Sequence, residues 1–113
     1  MYNLSMIRGD TTSLKFQRKD NDGNVIMLQA DKAYFTVKKS TAQSNYLIQK
    51  TLDDMVLDEE GVYHFTINPE DTDDLDYGTY VYDLEIIQNE VVTTISRGEF
   101  IIESEVTFAE NED

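Results

Sequence analysis

The sequence has no cysteine and no tryptophan, and among its 113 residues there are only one proline, one histidine and five glycines. Without cysteine there is no disulfide staple, no thiolate nucleophile and no Cys/His spacing on which a zinc site could be built. Apolar burial must therefore hold the fold together. With His64 as the sole imidazole and no serine in a nucleophile-elbow pattern, a catalytic triad has little to stand on. No stretch reaches the roughly 18 apolar residues of a membrane helix, and the first residues lack a basic segment leading into an apolar one. What is present, 40% hydrophobic and 28% charged residues, is the composition of a globular chain. The length suits one domain, expected over residues 1–108, with an acidic, frayed tail at 109–113.

Positive charge is missing from one half. Residues 1–50 carry eight Lys/Arg against four Asp/Glu, and residues 51–113 carry one against nineteen, giving +4 and −18 of the total −14. So acidic a surface repels phosphate backbones and anionic lipid, which argues against nucleic acid or membrane as a partner, although Lys32, Lys38 and Lys39 are expected to form a local basic patch. Solvated strand faces explain most of this asymmetry. A sharper reading is an acidic end that meets the basic end of a neighbour.

The hydrophobic pattern has period two. Tyr2, Leu4 and Met6 alternate with polar residues, and the strand they form ends at Arg8-Gly9-Asp10. Leu14 and Phe16 lie on a second strand, which stops at the turn Asp20-Asn21-Asp22-Gly23-Asn24, and Val25 to Leu28 returns from it. Lys32–Lys38 is a half-buried strand with Ala33, Phe35 and Val37 inward. After a polar loop at 40–45, Tyr46–Lys50 reads as an edge strand. Asp53–Glu60 reads as a hairpin connection. Tyr63, Phe65 and Ile67 form a strand closed by Pro69, where the following carboxylates favour one helical turn near residues 69–75. Tyr80, Tyr82, Leu84 and Ile86 face inward, whereas Val81, Asp83, Glu85 and Ile87 face outward. Val91 to Val106 is the last strand, with Gly98 as the expected bulge because the parity changes there. The expected core is Leu14, Phe16, Leu28, Phe35, Val37, Phe65, Ile67, Tyr80, Tyr82, Leu84, Ile86, Phe100 and Ile102.

Candidate chemistry is thin. His64 points away from the apolar face of its strand and reads as a surface residue. Asp20-x-Asp22-Gly23 fails the spacing of a calcium loop, since its glycine comes too early and Asp31 stands where the closing glutamate belongs. Glu70, Asp71, Asp73, Asp74 and Asp76 read as helix capping and solvation. Arg8-Gly9-Asp10 matches an adhesion tripeptide but lies where a turn needs glycine. No catalytic residue, cofactor or metal is expected, and the chain is not expected to be an enzyme.

Asp76-Tyr77-Gly78-Thr79-Tyr80-Val81-Tyr82 follows the pattern Asp-x-Gly-x-Tyr-x-Z. It resembles the entry to strand F of immunoglobulin-like domains, where the tyrosine hydroxyl bonds back to the backbone, with Tyr82 here in place of cysteine. Asp76, Gly78 and Tyr80 are thus a candidate structural corner. The fold expected is all-β, an immunoglobulin-like antiparallel sandwich of about seven to nine strands.

A second resemblance joins Ile7-Arg8-Gly9-Asp10-Thr11, Leu14-x-Phe16 and the Asp20–Leu28 turn and return, with Glu60-Gly61-x-Tyr63-x-Phe65-x-Ile67 and Gly78-x-Tyr80-x-Tyr82-x-Leu84 further on. Together these are similar to the N-terminal domain of phage baseplate upper proteins and related prophage tail proteins. The resemblance implies a structural or attachment subunit of a virion, assembled in the bacterial host cytoplasm, whose partners are other tail proteins or further copies. That family continues into coiled-coil and receptor-binding parts, whereas this sequence stops at Asp113, so an accessory or connecting subunit is expected. Val81, Ile87, Ile101, Lys32, Lys38 and Lys39 are the candidate interface. The alternative is a carbohydrate- or cell-surface-binding module that uses Tyr34 or Tyr46 as a stacking platform.

Overall fold

The computed structural model describes residues 3–19, 21–26 and 30–104, apart from the side chains of Arg18 and Ile26. In chain order the strands are β1 (Leu4–Ile7), β2 (Thr12–Phe16), β3 (Arg18–Lys19), β4 (Val25–Ile26), β5 (Lys32–Lys38), β6 (Ile48–Thr51), β7 (Val56–Leu57), β8 (Tyr63–Ile67), β9 (Gly78–Gln88) and β10 (Val91–Glu103). A 3-10 turn spans Leu52–Asp54, and the helical turn α1 spans Pro69–Thr72. Of these ten strands among the described residues three are two-residue pieces, and the seven longer ones match the expected sandwich of about seven to nine strands. The helical turn is shorter than the expected 69–75.

Two sheets face each other. One has the order β1-β10-β9-β5-β6 and the other β2-β8-β7, while β3 and β4 pair as a separate ribbon. Alternation decides which side chains lie between the sheets. Met6, Ala33, Phe35, Val37, Ile48, Tyr80, Tyr82, Leu84, Ile86, Phe100 and Ile102 come from the larger sheet, and Tyr63, Phe65 and Ile67 from the smaller. The two layers meet where Phe35 of β5 lies 5.0 Å from Phe65 of β8, centroid to centroid, and within the larger sheet Phe35 also lies 5.6 Å from Tyr82 and 6.2 Å from Phe100. Phe16 stacks on Tyr63 at 5.0 Å.

Leu14 and Phe16, expected in the core, are only half-buried. They lie on β2, which is an edge strand of its sheet among the described residues. The bulge falls between Thr94 and Ser96, with Ile95 as the extra residue, and not at Gly98, which stays in register opposite Tyr82. The parity change is real, but Ile95 absorbs it by turning its aliphatic chain onto the core margin. Tyr46 precedes β6 instead of starting it. Tyr2, Leu28, Val106 and the tail 109–113 lie outside the described residues.

Arg8-Gly9-Asp10 is the point where the chain leaves one sheet for the other. β1 runs parallel to β10, and β2 belongs to the opposite layer. Gly9 makes this step at φ +83°, a conformation that L side chains rarely adopt. At the other end of the sandwich, β9 and β10 join through Asn89 and Glu90, both at positive φ, in the pattern of a two-residue hairpin turn. The Asn89 N–H donates to the Asp31 carboxylate at 2.9 Å, which holds the turn in place.

Candidate functional site

The candidate corner is built from α1, the loop after it and the start of β9. The phenol of Tyr80 is buried and donates to the Asp76 carbonyl at 2.6 Å, with the Lys39 ammonium 4.9 Å from its ring centroid. Burial, and then the Asp76 carboxylate, push the Tyr80 hydroxyl above its ordinary value of 10.0. Gly78 opens β9 at φ +143°.

The Arg8-Gly9 step locks onto this corner from the other side. The Arg8 guanidinium donates to the Leu75 carbonyl at 3.3 Å and lies 4.4 Å over the Tyr77 ring. The Gly9 N–H donates to the hydroxyl of Thr72 at 2.9 Å. Thr72 is fully buried at 0% exposure and was not among the expected core residues, because a threonine inside an acidic run carries no apolar signal. Asp71 accepts from the Asn68 N–H at 2.7 Å and pairs with Lys50 of β6 at 2.8 Å, tying α1 to the edge of the larger sheet. Most of the sequence features at this end are consumed by structure, including the adhesion-like tripeptide.

The expected interface residues fall on the outer face of the larger sheet, in two groups. Lys32 is paired in register with Ile87, which lies opposite Val92, while Lys38 is paired with Val81. Six residues along a strand separate Lys32 from Lys38, about 20 Å at roughly 3.3 Å per residue, with Glu85 and Asp83 on the neighbouring strand between them. Lys32, Lys38 and Lys39 therefore do not form one basic patch. Val81, Ile87 and Ile101 do fall on the outward phase of their strands, but they are half-buried. The most exposed aliphatics among the described residues are Val56 of β7, at 67%, and Val91 and Val92 at the β9–β10 hairpin, at 63% and 57%, none of them among the interface candidates.

Between the two groups lies a trough of about 320 Å³, lined by Tyr34, Thr36, Lys38, Ser44, Tyr46, Gln49, Asp83 and Glu85. It brings together the two tyrosines named above as stacking platforms. His64 stays apart from it, exposed on β8 and 2.8 Å from the Asp58 carboxylate. That carboxylate is held below its usual 3.8, first by the His64 hydrogen bond and then by the Val62 N–H. Among the described residues, no group of three or more His, Asp or Glu is arranged to hold a metal ion, and no helix is long and apolar enough to cross a membrane.

No family model and no curated protein matches the chain. Solved structures do. The endo-beta-1,4-mannanase of Thermotoga petrophila aligns at 11% identity and a TM-score of 0.59, over 91% of this chain and 18% of that one. The swine CD8aa homodimer aligns at 11% and 0.50, over 89% and 92%. The NK cell receptor Nkp44 aligns at 13% and 0.49, over 91% and 96%. The chain thus spans under a fifth of the mannanase. Identities this low show the fold alone, and that fold is an immunoglobulin-like β-sandwich.

Proposed function

We propose that the chain is a non-enzymatic structural or attachment subunit of a phage or prophage virion, in the tail or baseplate, assembled in the host cytoplasm and acting through protein–protein contacts. The observation that carries this reading is the outer face of the five-stranded sheet. Outward aliphatics sit at both of its ends, Ile87 with Val92 beside Lys32 at one, and Val81 with Ile101 beside Lys38 at the other. Two separated apolar and cationic patches on a strongly acidic chain suit a module that touches two neighbours. The similarity to phage baseplate upper proteins gives further support, because the Arg-Gly-Asp-Thr entry on which it rests is the step by which this chain changes sheets.

Particle composition tests the proposal. Virions purified from the source strain and washed at high salt should contain this chain in fixed proportion to the tail proteins by mass spectrometry. Finding it only in the soluble lysate, with particles that lack it, overturns the reading. Neighbouring genes provide a second check, with tail or portal genes expected beside it.

A further inference from the structure

The trough on the outer face is lined in a particular way. Tyr34 and Thr36 of β5, Asp83 and Glu85 of β9 and Gln49 of β6 form its floor in register, Tyr34 opposite Glu85 and Thr36 opposite both Asp83 and Gln49. Ser44 and Tyr46, from the loop ahead of β6, complete the wall. An adjoining hollow of about 200 Å³ shares Thr36, Lys38 and Asp83 and adds Arg97 and Thr41.

We propose that this trough is a binding site for a short, uncharged oligosaccharide. A sugar ring presents C–H groups on its faces and hydroxyls, each a donor and an acceptor, around its edge. The trough offers the matching set: two phenol rings, two carboxylates that only accept, Lys38 and Arg97 that only donate, and the Gln49 amide, whose oxygen accepts and which keeps one N–H besides the one it gives to the Thr36 hydroxyl at 3.3 Å. Asp83, Glu85, Lys38 and Arg97 make no ion pair or side-chain hydrogen bond with any described residue. They are therefore available to a ligand. Two cations and two carboxylates cancel, so the trough does not select a phosphate or a polyanion, which the chain's charge of −14 repels in any case. A peptide would find few apolar side-chain pockets here. The volume of about 320 Å³ lies at the lower end of the roughly 300–1,000 Å³ of small-molecule sites, the scale of a few sugar rings in an open groove. The inference stands apart from the virion reading, since a glycan site serves any attachment module.

The test is amide NMR of the full chain, titrated with cellotetraose, mannotetraose and chitotetraose and, as an anionic counterpart, tetragalacturonate. At least one neutral tetrasaccharide should shift the amides of residues 34, 36, 49, 83 and 85 saturably, with an affinity that does not change with salt. Tyr46→Ala, at an exposed position, and Asp83→Asn, a near-isosteric change at a half-buried one, should each weaken that binding about tenfold while leaving the thermal midpoint in place. The inference fails if no neutral sugar shifts these amides at millimolar concentration, if the shifts lie elsewhere, if both variants bind as the parent does, or if tetragalacturonate binds best and is released by salt.

Discussion

Tyr80 shows how much one side chain can organise. Its ring is part of the core, and its hydroxyl reaches out of the core to the Asp76 carbonyl, so burial and hydrogen bonding act on the same residue. Tyr80→Phe keeps the ring and removes one hydrogen bond, which should cost about 1 kcal/mol and lower the thermal midpoint by about 4 °C. A midpoint equal to the parent's removes the corner role. Tyr82 stands where the immunoglobulin pattern has cysteine. Its phenol meets the Ser96 hydroxyl at 2.9 Å, so a polar contact within one sheet takes the position from which a disulfide would cross between sheets. Both tyrosines could be read from spacing alone, because an inward phase on a strand is a local property. Thr72 could not, because its burial depends on Arg8-Gly9, 63 residues away, closing over it.

At the scale of elements, the β7–β8 hairpin depends on Asp58. One carboxylate oxygen accepts from the N–H groups of Glu60 and Val62 at 2.8 and 3.0 Å, and the other meets His64 at 2.8 Å. Because these contacts hold the folded carboxyl below 3.8, their contribution is fully present above that value and is lost as the pH falls through the lower folded value. Asp58→Asn should therefore lower the urea midpoint at neutral pH, and the gap between parent and variant should close on acidification below about 4. A gap that is constant with pH would show that the charge has no part in the turn. Strand positions were legible in the sequence because period two survives in β5, β8 and β9. The bulge was misplaced by three residues because parity marks that a slip occurs, while the cross-strand partners decide which residue is left over. The half-burial of Leu14 and Phe16 follows from strand order, which no local pattern encodes.

At the scale of the molecule, two sheets with no covalent link are joined by rings, with Phe35 and Phe65 at the crossing. Each substitution to alanine should cost about 3–5 kcal/mol, and a double-mutant cycle should show about 0.5–1.5 kcal/mol of coupling beyond burial. Additive losses would mean that the rings fill space independently. The larger sheet's inner face is committed to this core and its edges are short, which leaves the outer face as the surface free to work. The sequence placed the interface candidates on that face but joined its lysines into one patch, because distance along a strand is visible only once the register is known. The trough was invisible for the same reason: Tyr34, Tyr46, Asp83 and Glu85 are distant in sequence and meet only across three strands.

Hydrogen exchange compared between the free chain and the chain within purified particles tests the outer-face account most directly. Protection gained in the particle should concentrate on the β9–β10 hairpin and around Lys32, Ile87 and Val92, with a second zone near Lys38, Val81 and Ile101. Gains confined to β2, β7 and β8, on the opposite sheet, would contradict it.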